Sequence, residues 1–290
     1  MAEIVFAAAA SHAPGLTGWF GKAGADDRRE VRQAYDRLRE ELAASGAEVL
    51  VVVGNDHLLN ARVQDCPDFT VGLAAEHVGP DEWFRPWLNL DEYRVPGDPE
   101  VAERMVAGLA GDGFDVRGAP ELRFDDNVSV PVALLGLADT GLRVVPVLQN
   151  CTVPPVPDEK TCYRFGEALG ALVRDRLPAG LRVGLLGSGG LSHEPGGPRY
   201  LEIDEKFDRW WMDLLAEGDH ARILDEVTFE RMEEAGAGGT SELLSWQVVM
   251  GAIGERPCTP LCYVCVPQWR CGVGAVLWDV RAREGEPDVA

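Results

Sequence analysis

The chain has 290 residues, 46% of them hydrophobic and 26% charged, and its 48 acidic against 27 basic side chains leave a formal net charge of −21. That length buries a sizeable core in a single domain spanning 1–290, and the negative field argues against nucleic acid or an anionic membrane surface as a partner. No stretch approaches the ~18 consecutive apolar residues of a membrane span. No basic segment followed by a long apolar one marks a signal peptide. Seven cysteines, an odd number without a regular framework, therefore suggest a cytoplasmic protein with reduced thiols.

Ile4–Ala10 is short, apolar and rich in small residues, the pattern of a buried first strand. It ends in the breaker cluster Ser11-His12-Ala13-Pro14-Gly15. Residues 26–44 carry apolar side chains at Val31, Tyr35, Leu38 and Leu42, the spacing of an amphipathic helix that Gly46 terminates. Glu48–Val53 is a second buried strand and runs into Gly54-Asn55-Asp56-His57. Strand, helix, strand predicts a βαβ unit with a parallel pair. Residues 61–98 break the alternation. A strand is expected at Phe69–Leu73, followed by an aromatic excursion with His77, Trp83, Phe84, Trp87 and Tyr93, which reads either as a lid or binding wall or as a satellite hydrophobic cluster.

Helices are predicted over 99–110 and over 128–137, the second capped by Asp125-Asp126-Asn127. A strand at Leu142–Leu148 and an amphipathic helix at Glu159–Arg176 follow. The next strand, Leu181–Leu186, enters the glycine-rich stretch Gly187-Ser188-Gly189-Gly190-Leu191-Ser192-His193. Helices at 203–217 and 240–252 and strands at 261–266 and 273–280 complete the chain, with a frayed tail expected from residue 283. The predicted fold is α/β, one mixed and largely parallel sheet with helices on both faces. Cys258, Cys262, Cys265 and Cys271 include one Cys-x-x-Cys spacing. No second such pair accompanies it, and the alternation around it is that of a strand with buried cysteines, so packing is favoured over a zinc site.

Three of the five histidines, His12, His57 and His193, follow apolar strands. If those strands are neighbours and parallel, the rings share one sheet edge, where open α/β sheets carry their sites. Two histidines and a carboxylate suit a non-haem Fe(II) centre with open positions. The same residues suit a zinc hydrolase with the third histidine as acid or base. Glu242, in the first turn of an apolar helix, is one candidate carboxylate; a helix-dipole role explains it equally well. The glycine run lacks a GxGxxG or Walker pattern, and Ser188 and Ser192 lack a nucleophile elbow.

Taken in order, Ser11-His12-Ala13-Pro14, Gly54-Asn55-Asp56-His57, Gly187 to His193 with Gly197-Pro198-Arg199, and Gly238 to Glu242 with Trp246 resemble the class III extradiol dioxygenases, of the protocatechuate 4,5-dioxygenase β-subunit type. The resemblance covers most of the chain. It implies an enzyme that inserts both atoms of O2 into a catechol-type or related hydroxylated ring with meta cleavage. It implies Fe(2+) held by His12, His57 and Glu242, with His193 as acid/base, and a homo-oligomer. One departure stands out. The family carries a further histidine in an Asp-His-Gly element before a Val-Pro pair, and this place reads Asp126-Asn127-Val128-Ser129-Val130-Pro131. Asn127, read as the replacement, hydrogen-bonds but transfers no proton at neutral pH, which opens the substrate to aminophenols and hydroxypyridone-like rings. His77 is a possible substitute if the excursion covers the site, and Arg199 is either a substrate-carboxylate ligand or a structural ion pair. Trp83, Phe84, Trp87 and Trp269 are candidate walls. The departure at Asn127 also leaves a non-catalytic binding relative as an alternative.

Overall fold

The computed structural model describes residues 1–280, so the tail expected to fray lies outside the described residues. Uncharged runs of Val, Ala and Leu have no face to offer water and become strands covered on both sides. The strands are β1 Glu3–Ala10, β2 Val49–Asp56, β3 Phe69–Gly72, β4 Glu76–Gly79, β5 Tyr93–Pro96, β6 Val116–Ala119, β7 Arg143–Asn150, β8 Arg182–Ser188, β9 Cys258–Cys265 and β10 Gly272–Trp278. The helices are α1 Gly15–Gly18, α2 Ala25–Ser45, α3 Arg85–Leu88, α4 Pro99–Gly111, α5 Asp126–Leu135, α6 Glu159–Arg176, α7 Glu205–Glu217, α8 His220–Glu226, α9 Phe229–Ala235 and α10 Leu244–Ile253.

Eight strands form one sheet in the order β6-β3-β7-β2-β8-β1-β10-β9, and β4 and β5 form a separate hairpin. The four central strands β7, β2, β8 and β1 are mutually parallel. β3 runs antiparallel to β7, and β10 antiparallel to β1. Alternate residues of the central strands feed two cores. Val49, Val51, Val53, Val183 and Leu185 pack with α4, α6, α7 and α10, while Leu50, Val52, Val144 and Leu186 pack with α2 and α5. The helix pair α6/α10 lies close because Gly166 replaces a side chain at the contact: a Cβ there would sit 2.1 Å from the Val248 carbonyl oxygen.

The mixed, largely parallel sheet flanked on both faces is the expected one, and α6 has the expected ends. The expected pairing of the first two strands needs correction. β1 and β2 are parallel, but β8 lies between them and bonds to both. A strand–helix–strand pattern specifies direction, not adjacency, and β8 is apolar enough to be buried on both faces. The strands also run further than the apolar runs: Gly54, Asn55 and Asp56 belong to β2, and Gln149 and Asn150 to β7. Among the described residues no helix is long and apolar enough to cross a membrane. The Cys-x-x-Cys pair lies on β9, and burial pushes the Cys262 thiol up to about 12, so it packs as a neutral group.

Candidate active site

β2, β8 and β1 are consecutive neighbours, so their C-terminal ends share one sheet edge. His57 follows β2 directly, His12 stands two residues beyond β1, and His193 follows β8 by one loop. Glu242 reaches the same point from a 3-10 turn, Thr240–Leu243, that leads into α10. The glycine run after β8 is what lets this turn come close. At Gly189 a Cβ would lie 2.3 Å from the Glu242 carbonyl oxygen, and the Trp246 indole N–H donates to the Gly189 carbonyl at 3.2 Å. The Gly190 N–H then donates to Glu242 Oε2 at 2.7 Å.

Three imidazole Nε2 atoms converge on the Glu242 carboxylate. His12 Nε2 lies 3.0 Å from Oε2, and His57 Nε2 and His193 Nε2 each lie 3.2 Å from Oε1. The opposite nitrogen of each ring is held by the protein. The Ser188 hydroxyl donates to the Asn127 carbonyl at 2.6 Å, so it receives a hydrogen bond from His12 Nδ1–H at 3.0 Å. His57 Nδ1–H donates to Asp125 at 3.0 Å, and His193 Nδ1–H to the Leu191 carbonyl at 2.8 Å. In the neutral rings all three Nε2 atoms therefore carry lone pairs. Outer partners that fix the tautomer in this way are the usual support of metal-ligating histidines. The spacing also fits an ion. His12 Nε2 and His57 Nε2 stand 3.0 and 3.2 Å from the two oxygens of one carboxylate, so the three side chains are close enough to share a cation.

Burial alone would lower the His57 pKa, but the Asp125 charge and its hydrogen bond lift it well above the usual histidine range. His193 behaves likewise, with burial opposed by the charge of Glu242. Glu242 is pulled well below the carboxylate range by His193 and His12 despite its own burial. Asp125 is also lowered, burial being outweighed by His57, whereas burial raises the neighbouring Asp126.

A cavity of about 380 Å³ opens over this cluster, lined by His12, His57, His193, Glu242, Asp125 and Asp126 on the polar side and by Pro14, Phe84, Trp87, Pro195, Tyr200 and Arg270 among the others. A family model described as the catalytic LigB subunit of aromatic ring-opening dioxygenase matches residues 6–273. The chain belongs to this LigB family. Similar proteins include the 2,3-dihydroxyphenylpropionate/2,3-dihydroxicinnamic acid 1,2-dioxygenase of Photorhabdus laumondii, 29% identical over 193 residues, or 67% of this chain and 57% of the relative. An enzyme of the same name from Escherichia coli O139:H28 is 26% identical over 314 residues, 92% of this chain and 96% of the relative. The chain spans just over half of some curated relatives and most of others. The crystal structure of an uncharacterized protein from Escherichia coli K12 shares the fold, with a TM-score of 0.51 at 15% identity over 94% of this chain and 99% of that one.

Within the LigB site, four of the residues singled out from sequence come together: His12, His57, His193 and Glu242. Three others lie elsewhere. Asn127 does not line the cavity; its amide donates to the Asn55 carbonyl and ties α5 to β2. Asp125 caps α5 through the Asn127 N–H, and Asp126, the first helical residue, presents the carboxylate to the cavity instead. In this first helical turn Asp126 and not Asn127 faces the cavity, because each step along a helix turns the side chain by about 100°. His77 is buried on β4 against Phe124, and burial lowers it to about 4. It stands outside the cavity lining, beside Val144 at the start of β7 and not at that strand's C-terminal end. Arg199 is ion-paired to Glu194 at 2.8 Å and bonded to the Glu234 carbonyl, which is the structural alternative. Phe84 and Trp87 line the cavity, Trp83 is exposed, and Trp269 is buried and stacked on Phe20.

Asp126, Asp125 and Ser188 were missed as site residues. The first two carried a sequence signal, paired acids at a helix start, which reads equally well as capping. Donor atoms of His12, His57 and Asp126 all lie within 4.8 Å of one another, so Asp126 is a second carboxylate near the two imidazoles. It faces His57 from the Nδ1 side, at 3.4 Å, whereas Glu242 faces Nε2.

Proposed function

We propose that this LigB-family protein is a non-haem Fe(II) extradiol dioxygenase that cleaves a catechol-type or related hydroxylated aromatic ring beside its hydroxyls, consuming O2. The observation that carries this reading is the tautomeric arrangement: His12 and His57 are each held at Nδ1 and offer Nε2 toward one carboxylate of Glu242. The relatives named as 2,3-dihydroxyphenylpropionate 1,2-dioxygenases support it. His12, His57 and Glu242 would hold the metal. Iron(II), when bound, supplies a centre that chelates the diol, acidifies its hydroxyls and accepts O2 alongside it.

The protein's own part is positioning and proton transfer. His193 is fixed at Nδ1 by the Leu191 carbonyl and keeps Nε2 on the cavity side. It is the group placed to take a hydroxyl proton from the bound diol and to return it to the leaving oxygen. Asp126 is a second carboxyl on the cavity side, 3.4 Å from His57 Nδ1, and burial raises its pKa. Phe84, Trp87 and Pro14 supply the apolar walls that hold a planar ring.

The reading is tested with 18O2. Iron-loaded protein incubated with a catechol under 18O2 yields a ring-opened product carrying both labelled atoms. Product without label, or turnover without O2, would instead indicate a hydrolase.

A further inference from the structure

Arg270 is the one lysine or arginine among the described residues that line the cavity. It sits in the turn between β9 and β10, in left-handed backbone (φ 75°), with its N–H bonded to the Pro267 carbonyl. Its guanidinium lies 4.7 Å from the ring centroid of Tyr200 and 5.1 Å from that of Trp19. Trp19 is itself anchored, by its indole N–H on the Gln268 carbonyl at 2.6 Å and by a tilted contact with Trp87 at 5.8 Å. No carboxylate or carbonyl acceptor among the described residues engages the guanidinium. In a chain with 48 acidic residues against 27 basic ones, this cavity arginine meets aromatic rings and no acidic side chain among the described residues. Aromatic contacts occupy the faces of a guanidinium and leave its in-plane N–H groups free, the geometry that receives a carboxylate through two parallel hydrogen bonds. Elsewhere the ionisable lining groups engage one another, His12, His57 and His193 with Glu242 and His57 also with Asp125 and Asp126, so Arg270 is the cationic group of the lining that faces no carboxylate.

We infer that Arg270 determines substrate specificity by binding a carboxylate carried on the substrate's ring substituent. Trp19 and Tyr200 hold the guanidinium in place. This narrows the substrate from any hydroxylated ring to an anionic one and sets aside the uncharged aminophenols and hydroxypyridones. The diol half of the statement rests on the ring-cleavage reading; the anion half does not.

The experiment compares 3-(2,3-dihydroxyphenyl)propionate with its uncharged primary amide, as kcat/KM of the iron-loaded protein. In parallel, 3-phenylpropionate and 3-phenylpropionamide are titrated by quenching of tryptophan fluorescence. The acid is preferred over the amide by about tenfold or more in both assays, as expected for a charge-assisted pair. Raising the salt from about 50 to about 500 mM shrinks that preference. In Arg270→Asn, chosen because asparagine tolerates the left-handed backbone, the ratio falls to about one, while Arg270→Lys retains part of it. A ratio near one in the unaltered protein, or a ratio that survives in Arg270→Asn, overturns the assignment. If no diol is turned over, the ring-cleavage reading fails and the fluorescence pair still decides the role of Arg270. If Arg270→Asn does not fold, Arg270→Lys decides it, and a ratio in that variant equal to the unaltered protein's overturns the assignment.

Discussion

Replacing Asp125 with asparagine changes few atoms and separates metal binding from folding. Asp125 accepts from two donors, His57 Nδ1–H at one oxygen and the Asn127 N–H at the other, each at 3.0 Å. Asparagine has one acceptor oxygen. With that oxygen kept on the helix cap, where asparagine serves as well as aspartate, the amide NH2 faces His57 Nδ1 and drives the ring proton to Nε2. That proton then lies toward Glu242 Oε1, 3.2 Å away. The metal-free protein keeps a hydrogen bond at each position but loses the Asp125 charge that lifts the His57 pKa, so its melting is measured separately. A metal must now displace the proton and turn the tautomer. Loss of such an outer partner weakens metal affinity about 10- to 100-fold, or about 1.4–2.8 kcal/mol. The opposite amide flip restores His57 but leaves the cap N–H facing an NH2, at a cost of about 1 kcal/mol. Anaerobic Fe(II) titration against a competing chelator reads the affinity, and thermal melting of the metal-free protein reads the fold. An Fe(II) affinity within about threefold of the unaltered protein, in a variant that melts normally, would refute the tautomer reasoning.

Three further outcomes are expected. Glu242→Gln loses stoichiometric Fe(II), whereas Asp126→Asn keeps it, because only Glu242 faces the Nε2 atoms of both imidazoles; elemental analysis of the two variants decides, and the reverse result would exchange the two carboxylates. His193→Ala keeps its iron and loses about 10²-fold or more in kcat, measured as oxygen uptake at saturating diol. Asp208 is buried beneath the His193 loop, accepts from the Ser192 N–H at 2.8 Å and the Tyr263 hydroxyl at 3.0 Å, and is raised to about 7 chiefly by burial. The folded chain holds this proton more tightly than the unfolded one, so between about pH 4 and 7 stability falls as pH rises. Asp208→Asn removes that slope, and its melting temperature gains on the unaltered protein across this window; a constant difference at all pH values contradicts it.

Much of the site was legible because its signals are local. An apolar run ending in a breaker and a histidine places a ring at a strand exit, and His12, His57 and His193 needed only the adjacency of β2, β8 and β1 to meet. α2 and α6 were legible from long apolar periodicity. The four-residue β3 was read from its apolar alternation at Phe69–Leu73, but β4, β5 and β6, equally short and carrying charged or glycine residues, offered too little alternation to stand out. The Asn127/Asp126 exchange has the same origin in scale: which side chain of a capped first turn faces inward depends on where β2 anchors α5. Arg199 and Arg270 differ only in their surroundings. One meets Glu194 and the other meets two aromatic rings, and both sets of partners are remote or loop-borne in sequence.

The central claim is that His12, His57 and Glu242 form an iron site serving ring cleavage. Its most direct measurement is oxygen uptake after anaerobic loading with one equivalent of Fe(II), using 3-(2,3-dihydroxyphenyl)propionate, beside a Zn(II)-loaded control. The account predicts one O2 consumed per diol, appearance of a ring-opened product, no uptake with Zn(II), and loss of both iron and uptake in His12→Ala and His57→Ala. Retained iron and uptake in those two variants, or turnover supported by Zn(II) without oxygen, would contradict it.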